Sequence, residues 1–84
     1  MIGGVDITFD LDGEPKTMQV KKVSNVSTSN NKVTLHGLTV NKHYDVDYLA
    51  ITNNNKPYIF EYDPDKIDII DKGELQLDLS LWVR

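Results

Sequence analysis

Apolar and polar residues alternate along most of this chain, and a period of two leaves it little choice but a sheet. In Val5-Asp6-Ile7-Thr8-Phe9-Asp10-Leu11-Asp12 every odd position is apolar and every even one polar. A strand turns successive side chains to opposite faces, so the run has one face suited to a core and one suited to water. Asp12-Gly13 supplies a tight-turn pair, with Pro15 just beyond. Thr17-Met18-Gln19-Val20-Lys21 alternates again. The pattern then slips between Lys22 and Val26, where a bulge or a strand end is expected. Ser27-Thr28-Ser29-Asn30-Asn31 reads as a polar loop.

Val33 to His36 predict a third strand and His43 to Thr52 a fourth. In the fourth, Tyr44, Val46, Tyr48 and Ala50 share one face, while Leu49 and Ile51 join Asp45 and Asp47 on the other. Asn53-Asn54-Asn55 is the sharpest turn signal, because asparagine tolerates positive φ. Pro57 to Tyr62 form a fifth run with Tyr58, Phe60 and Tyr62 aligned. Asp63-Pro64-Asp65 predicts a turn leading into a short strand through Ile67 and Ile69, with a two-turn helix ending at Lys72-Gly73 as the alternative. The last run, Glu74 to Arg84, aligns Leu75, Leu77, Leu79, Leu81 and Val83. The expectation is one all-β domain over residues 1–84. It is a small β-sandwich or partly open barrel of about six to seven mostly antiparallel strands, with at most one short helix near residues 64–72.

Composition removes several function classes. No run approaches the ~18 apolar residues of a membrane-spanning helix. The chain has no cysteine, hence no disulfide framework and no thiolate chemistry. Met1 to Asp6 lack the basic and apolar regions of a secretory signal, so a cytoplasmic or virion-associated location is expected. The net charge is -4, and the halves differ: residues 1–42 hold five Lys against four acids, residues 43–84 three Lys and one Arg against nine acids. Phosphate backbones are bound by clustered Lys and Arg, so the balance argues against a nucleic-acid partner.

Leu35-His36-Gly37-Leu38 followed by Tyr44-Asp45-Val46 and Ala50 resembles the strand E to strand F segment of fibronectin type III domains. The resemblance implies a sandwich that serves as spacer or binding module without a catalytic set. It also implies that Tyr44 forms a structural tyrosine corner, its hydroxyl bonding back to the chain. The span from Leu38 to Ile70 is similar, more loosely, to small partly open barrels of phage and Firmicute proteins. The Asn-, Lys- and Ile-rich composition fits such an AT-rich origin.

Catalytic signals are sparse. His36 and His43 flank the Gly37 to Lys42 turn and read as polar-face residues or, if cross-strand neighbours, half a metal site. Ser24, Ser27, Ser29 and Ser80 lack a nucleophile-elbow context. Asp10-x-Asp12-Gly13 resembles the start of a calcium loop, but Thr8 and Gln19 occupy the positions that need acids, so a hairpin turn is expected. Glu61, Asp63, Asp65, Asp68 and Asp71 read as a solvated rim. Tyr58, Phe60 and Tyr62 form either a stacking platform or, better, the aromatic half of the core. No catalytic, cofactor-binding or metal-binding residue is therefore assigned. The expected function is a non-enzymatic assembly or binding module, such as a phage-type structural or accessory protein. It would pair with a protein partner or with itself through the edge of the last strand, with Leu81, Trp82 and Val83 as the contact. The alternative is an acidic inhibitor, or a nucleic-acid-mimicking decoy, that blocks a basic surface.

Overall fold

The computed structural model describes residues 7–38, 44–71 and 73–83, with Asp71 described by its backbone alone. Val5, His43 and Arg84 lie outside that set. Nine strands form two sheets: β1 (Ile7–Leu11), β2 (Glu14–Lys22), β3 (Asn25–Ser29), β4 (Lys32–His36), β5 (Tyr48–Asn53), β6 (Lys56–Glu61), β7 (Ile67–Asp71), β8 (Glu74–Asp78) and β9 (Trp82–Val83). The five-stranded sheet runs β1-β2-β5-β6-β9 and the four-stranded sheet β3-β4-β8-β7. All pairs are antiparallel except β2 with β5. This is a small all-β sandwich.

Hairpins are the unit of construction. β1–β2 and β5–β6 stay in the larger sheet, β3–β4 and β7–β8 in the smaller, and the chain changes sheet after each hairpin. Three of the turns hold two consecutive residues at positive φ: Asp12 and Gly13 (53° and 84°), Asn30 and Asn31 (51° and 63°), Asn54 and Asn55 (50° and 66°). That conformation matches the right-handed twist of paired strands and suits Asn, Asp and Gly. The segment expected as a polar loop, Ser27 to Asn31, is therefore mostly strand β3, and only Asn30-Asn31 turn. Its hydroxyl side chains disguise a strand that is exposed over most of its length.

The core consists of facing cross-strand rows. In the smaller sheet, Val26, Leu35, Leu75 and Ile69 make one row, and Thr28, Val33, Leu77 and Ile67 the next. In the larger sheet the inward rows are Gln19, Leu49, Phe60, Trp82 and Lys21, Ile51, Tyr58. Leu35, Leu49, Ile51, Leu75 and Leu77 are fully buried. Tyr58, Phe60 and Tyr62 pack in or against this core, as their alignment predicts.

Residues 74–84, expected as one long strand, are broken in the middle. The Asp78 carboxylate accepts from the Ser80 amide (2.9 Å) and caps a 3₁₀ turn at Leu79–Leu81. That turn carries the chain across to the larger sheet, buries Leu81 and leaves only two residues of β9. Likewise Asp63 caps a 3₁₀ turn at Pro64–Lys66, after which β7 begins. This is the predicted turn and strand, not the helix. β1 also departs from expectation, because its apolar residues do not face the core at all.

The Ser80 amide and hydroxyl hold the Asp78 carboxyl below its ordinary 3.8. A depressed folded-state pKa stabilises above the unfolded value and is lost as pH falls through it. Asp78→Ala is therefore expected to lower the thermal midpoint at pH 7, with the gap to wild type closing as pH drops below about 4. Gly73 sits at φ 79°, where a Cβ would lie 2.9 Å from the Leu38 carbonyl oxygen, while its own carbonyl accepts from the Gly37 and Leu38 amides. Gly73→Ala should cost roughly 1–3 kcal/mol in urea unfolding, and more than Gly13→Ala, where the added Cβ meets open space.

Candidate functional site

Residues paired across a ladder project to the same side of the sheet. Ile7 pairs with Met18, Phe9 with Lys16 and Leu11 with Glu14. Met18 pairs in turn with Tyr48, and Val20 with Ala50. Ala50 pairs with Ile59, and Ile59 with Val83. All of these alternate with the core residues Leu49, Ile51 and Phe60, so they occupy the outer face of the five-stranded sheet. Ile7, Leu11, Ile59 and Val83 are 45%, 42%, 37% and 44% exposed. Among the described residues the remaining exposed large hydrophobic, Ile70, lies on β7 of the other sheet. Phe9 and Tyr48 meet on the outer face with ring centroids 5.8 Å apart. The face is electrically balanced: Glu14 pairs with Lys16 at 3.3 Å, and Lys22 and Glu61 complete its charges. On a chain of net charge -4, the excess of acids lies elsewhere.

β1 overhangs the sandwich. Thr8 and Asp10, on its inward side, are exposed as well, so the smaller sheet does not reach it. Its outward edge can be assigned from β2. The Thr17 amide donates to the Asp47 carboxylate (3.0 Å) and its carbonyl accepts from the Asp47 amide (3.1 Å). Thr17 is therefore not the hydrogen-bonded partner of Thr8, and in an antiparallel ladder such positions alternate. Residues 7, 9 and 11 bond toward β2, while Thr8 and Asp10 direct N–H and C=O outward. Pro15, opposite Asp10, occupies a position that needs no donor toward β1.

The other sheet holds a constellation with no counterpart in the sequence motifs. On its outer face the Ser27 Oγ lies 3.3 Å from His36 Nε2, and His36 Nδ1 lies 3.1 Å from Glu74 Oε1. β3, β4 and β8 bring them together; the polar composition around Ser27 suggests a loop and so conceals its strand neighbours. A serine, a histidine and an orienting acid in this order match the connectivity of nucleophilic triads. What surrounds them does not. Ser27 is exposed in mid-strand, not at a strand-to-helix turn. The arrangement works as a cross-strand polar clip. His43, the expected companion in a half metal site, is outside the described residues.

The expected contact residues separate. Leu81 is buried at 3% exposure and Val83 lies on the outer face. Trp82 packs on Tyr58 at 6.0 Å and lines a cleft of about 310 Å³ between the sheets with Val26, Thr28, Val33 and Phe60. Tyr44 is half-buried and edge-on to Tyr62. The Tyr62 hydroxyl oxygen accepts from the Tyr44 amide at 3.0 Å. Burial holds the Tyr62 hydroxyl above its ordinary pKa, partly offset by that bond. The acids near the Glu61 to Glu74 stretch divide between faces: Glu61 lies on the outer side of the larger sheet and Asp68 on that of the smaller. No group of three metal-ligating side chains occurs among the described residues.

No family model, curated protein or solved structure matches the chain.

A fluorophosphonate serine probe is expected to label the protein no faster than it labels Ser27→Ala. Faster labelling that Glu74→Gln abolishes would give the Ser27–His36–Glu74 clip a chemistry.

Proposed function

We propose that the protein is a non-enzymatic association module that works through the β1 side of its five-stranded sheet. The observation that carries this reading is the placement of Ile7, Phe9 and Leu11 on an exposed face beside a strand edge that no described strand pairs. Contiguous exposed apolar surface on a small domain marks a contact site more often than chance. Free strand edges are templates for pairing, and proteins commonly blunt them.

The other edges of this molecule are blunted. β9 has two residues. β7 carries a bulge between Ile69 and Asp71. On β3 the Val26 amide is taken by the Asn25 side chain at 2.9 Å. β1 has five residues in regular register and none of these devices. On this reading the contact lies at β1, the edge of the same sheet opposite the Trp82 end that the sequence suggests. The Asn-, Lys- and Ile-rich composition is the support for a phage-type structural or accessory setting. The decoy reading has less to rest on, because the acids do not share one face.

A photoreactive benzoylphenylalanine in place of Phe9 should cross-link a discrete polypeptide several-fold more than the same group at Asn54, either in purified protein or in lysate. Equal yields at the two positions in both settings would overturn the reading. Leu11→Thr should shift unfolding free energy by no more than about 0.5 kcal/mol, since an exposed side chain contributes little to the monomer, while reducing the Phe9 cross-link.

A further inference from the structure

We propose that the partner of β1 is β1 of a second copy, paired antiparallel about Phe9 so that two five-stranded sheets become one. This rests on the association reading above and names its occupant. Centring the pairing on Phe9 sets Ile7 against Leu11, Phe9 against Phe9 and Thr8 against Asp10. The outward N–H and C=O groups of β1 belong to Thr8 and Asp10, and in this register those two residues face each other across the two-fold axis. They exchange both main-chain hydrogen bonds, twice over by symmetry. Ile7, Phe9 and Leu11 then fall at the non-hydrogen-bonded positions, where side chains come closest.

The chemistry of each pair fits. On the outer face, three apolar pairs join the Phe9–Tyr48 contacts of the two copies into one continuous apolar surface. On the inner face each Asp10 carboxylate lies beside a Thr8 hydroxyl, a donor, and not directly opposite the other Asp10. Moving the register by one residue in either direction sets apolar residues against Thr8 or Asp10 and breaks the match of outward groups. Among the described residues no strand pairs the outer edge of β1, and four of its five residues are exposed. A five-residue edge is a small interface, below the roughly 1,200 Å² of stable complexes, so association should be concentration-dependent in the micromolar to millimolar range.

The test is sedimentation of the full chain over that range, with two variants. The expected mass rises from 9.6 kDa toward twice that value. Thr8→Pro removes an outward N–H while sparing the ladder to β2, and should stay monomeric with unchanged Trp82 fluorescence. The chain has no cysteine, so Phe9→Cys carries a single thiol. Opposed thiols at a non-hydrogen-bonded pair are within reach of a disulfide, and Phe9→Cys should oxidise to a dimer roughly ten-fold faster than Leu11→Cys. A wild-type chain that stays monomeric at millimolar concentration overturns the proposal, as does a dimer that survives Thr8→Pro or cross-links equally through position 11. If the chain is monomeric but the position 9 photoprobe still captures another polypeptide, only the identity of the partner fails. If neither dimer nor capture occurs, the association reading fails with it.

Discussion

The faces of three hairpins in this molecule are decided at their two-residue turns. A hairpin closed by two left-handed residues has one register, and a slip by a single residue would exchange the inner and outer sides of both strands. At Asn54-Asn55 the register puts Leu49 and Ile51 opposite Phe60 and Tyr58, on the side that meets the other sheet. At Asn30-Asn31 it aligns Val33 and Leu35 with Thr28 and Val26. At Asp12-Gly13 the same device aligns Ile7, Phe9 and Leu11 with Met18, Lys16 and Glu14, on the side that meets water. The core and the exposed apolar surface are thus products of one constraint applied to different hairpins.

The fold class was legible because alternation is a direct image of the pleat. β7 could be separated from a helix because Ile67, Asp68 and Ile69 alternate and β-branched side chains suit a strand. Two features were not legible, for different reasons. β3 lacks apolar residues apart from Val26, since an exposed edge strand can be built from Ser and Thr, and periodicity has nothing to register there. The final run keeps perfect alternation across a break, because Asp78 ends the strand through a hydrogen bond to Ser80, and capping does not disturb hydrophobic period. For β1 the pattern identifies two faces but carries no information on which one another layer will cover. Gln19 and Lys21 illustrate the same ambiguity: they lie on the inner side of β2 while Met18 and Val20 lie outside.

Hydrogen-bond connectivity such as that of Ser27, His36 and Glu74 does not by itself define an active site. Glu74 can fix the imidazole tautomer and the imidazole can accept from Ser27, yet acyl transfer also needs donors placed for a developing oxyanion and a cavity that excludes water. The same three side chains join β3, β4 and β8 laterally, beside the Lys32–Asp78 ion pair (3.9 Å) and the Gln76–Thr34 hydrogen bond (3.5 Å) on the same outer face.

The uneven number of strands explains why β1 stays wet on both sides. Four strands cannot cover five, and the uncovered one is β1, with Thr8 and Asp10 exposed inward and Ile7 and Leu11 exposed outward. No register of the β1–β2 hairpin would bury Ile7, Phe9 and Leu11, because among the described residues no layer faces either side of β1. Their full desolvation calls for a surface beyond the two sheets. Polar replacements at the exposed Ile7 and Leu11 would cost the monomer little, whereas the half-buried Phe9 packs on Tyr48 within it. The edge pairing proposed for β1 would set Ile7, Phe9 and Leu11 beside their counterparts in a second copy and so remove part of that exposure.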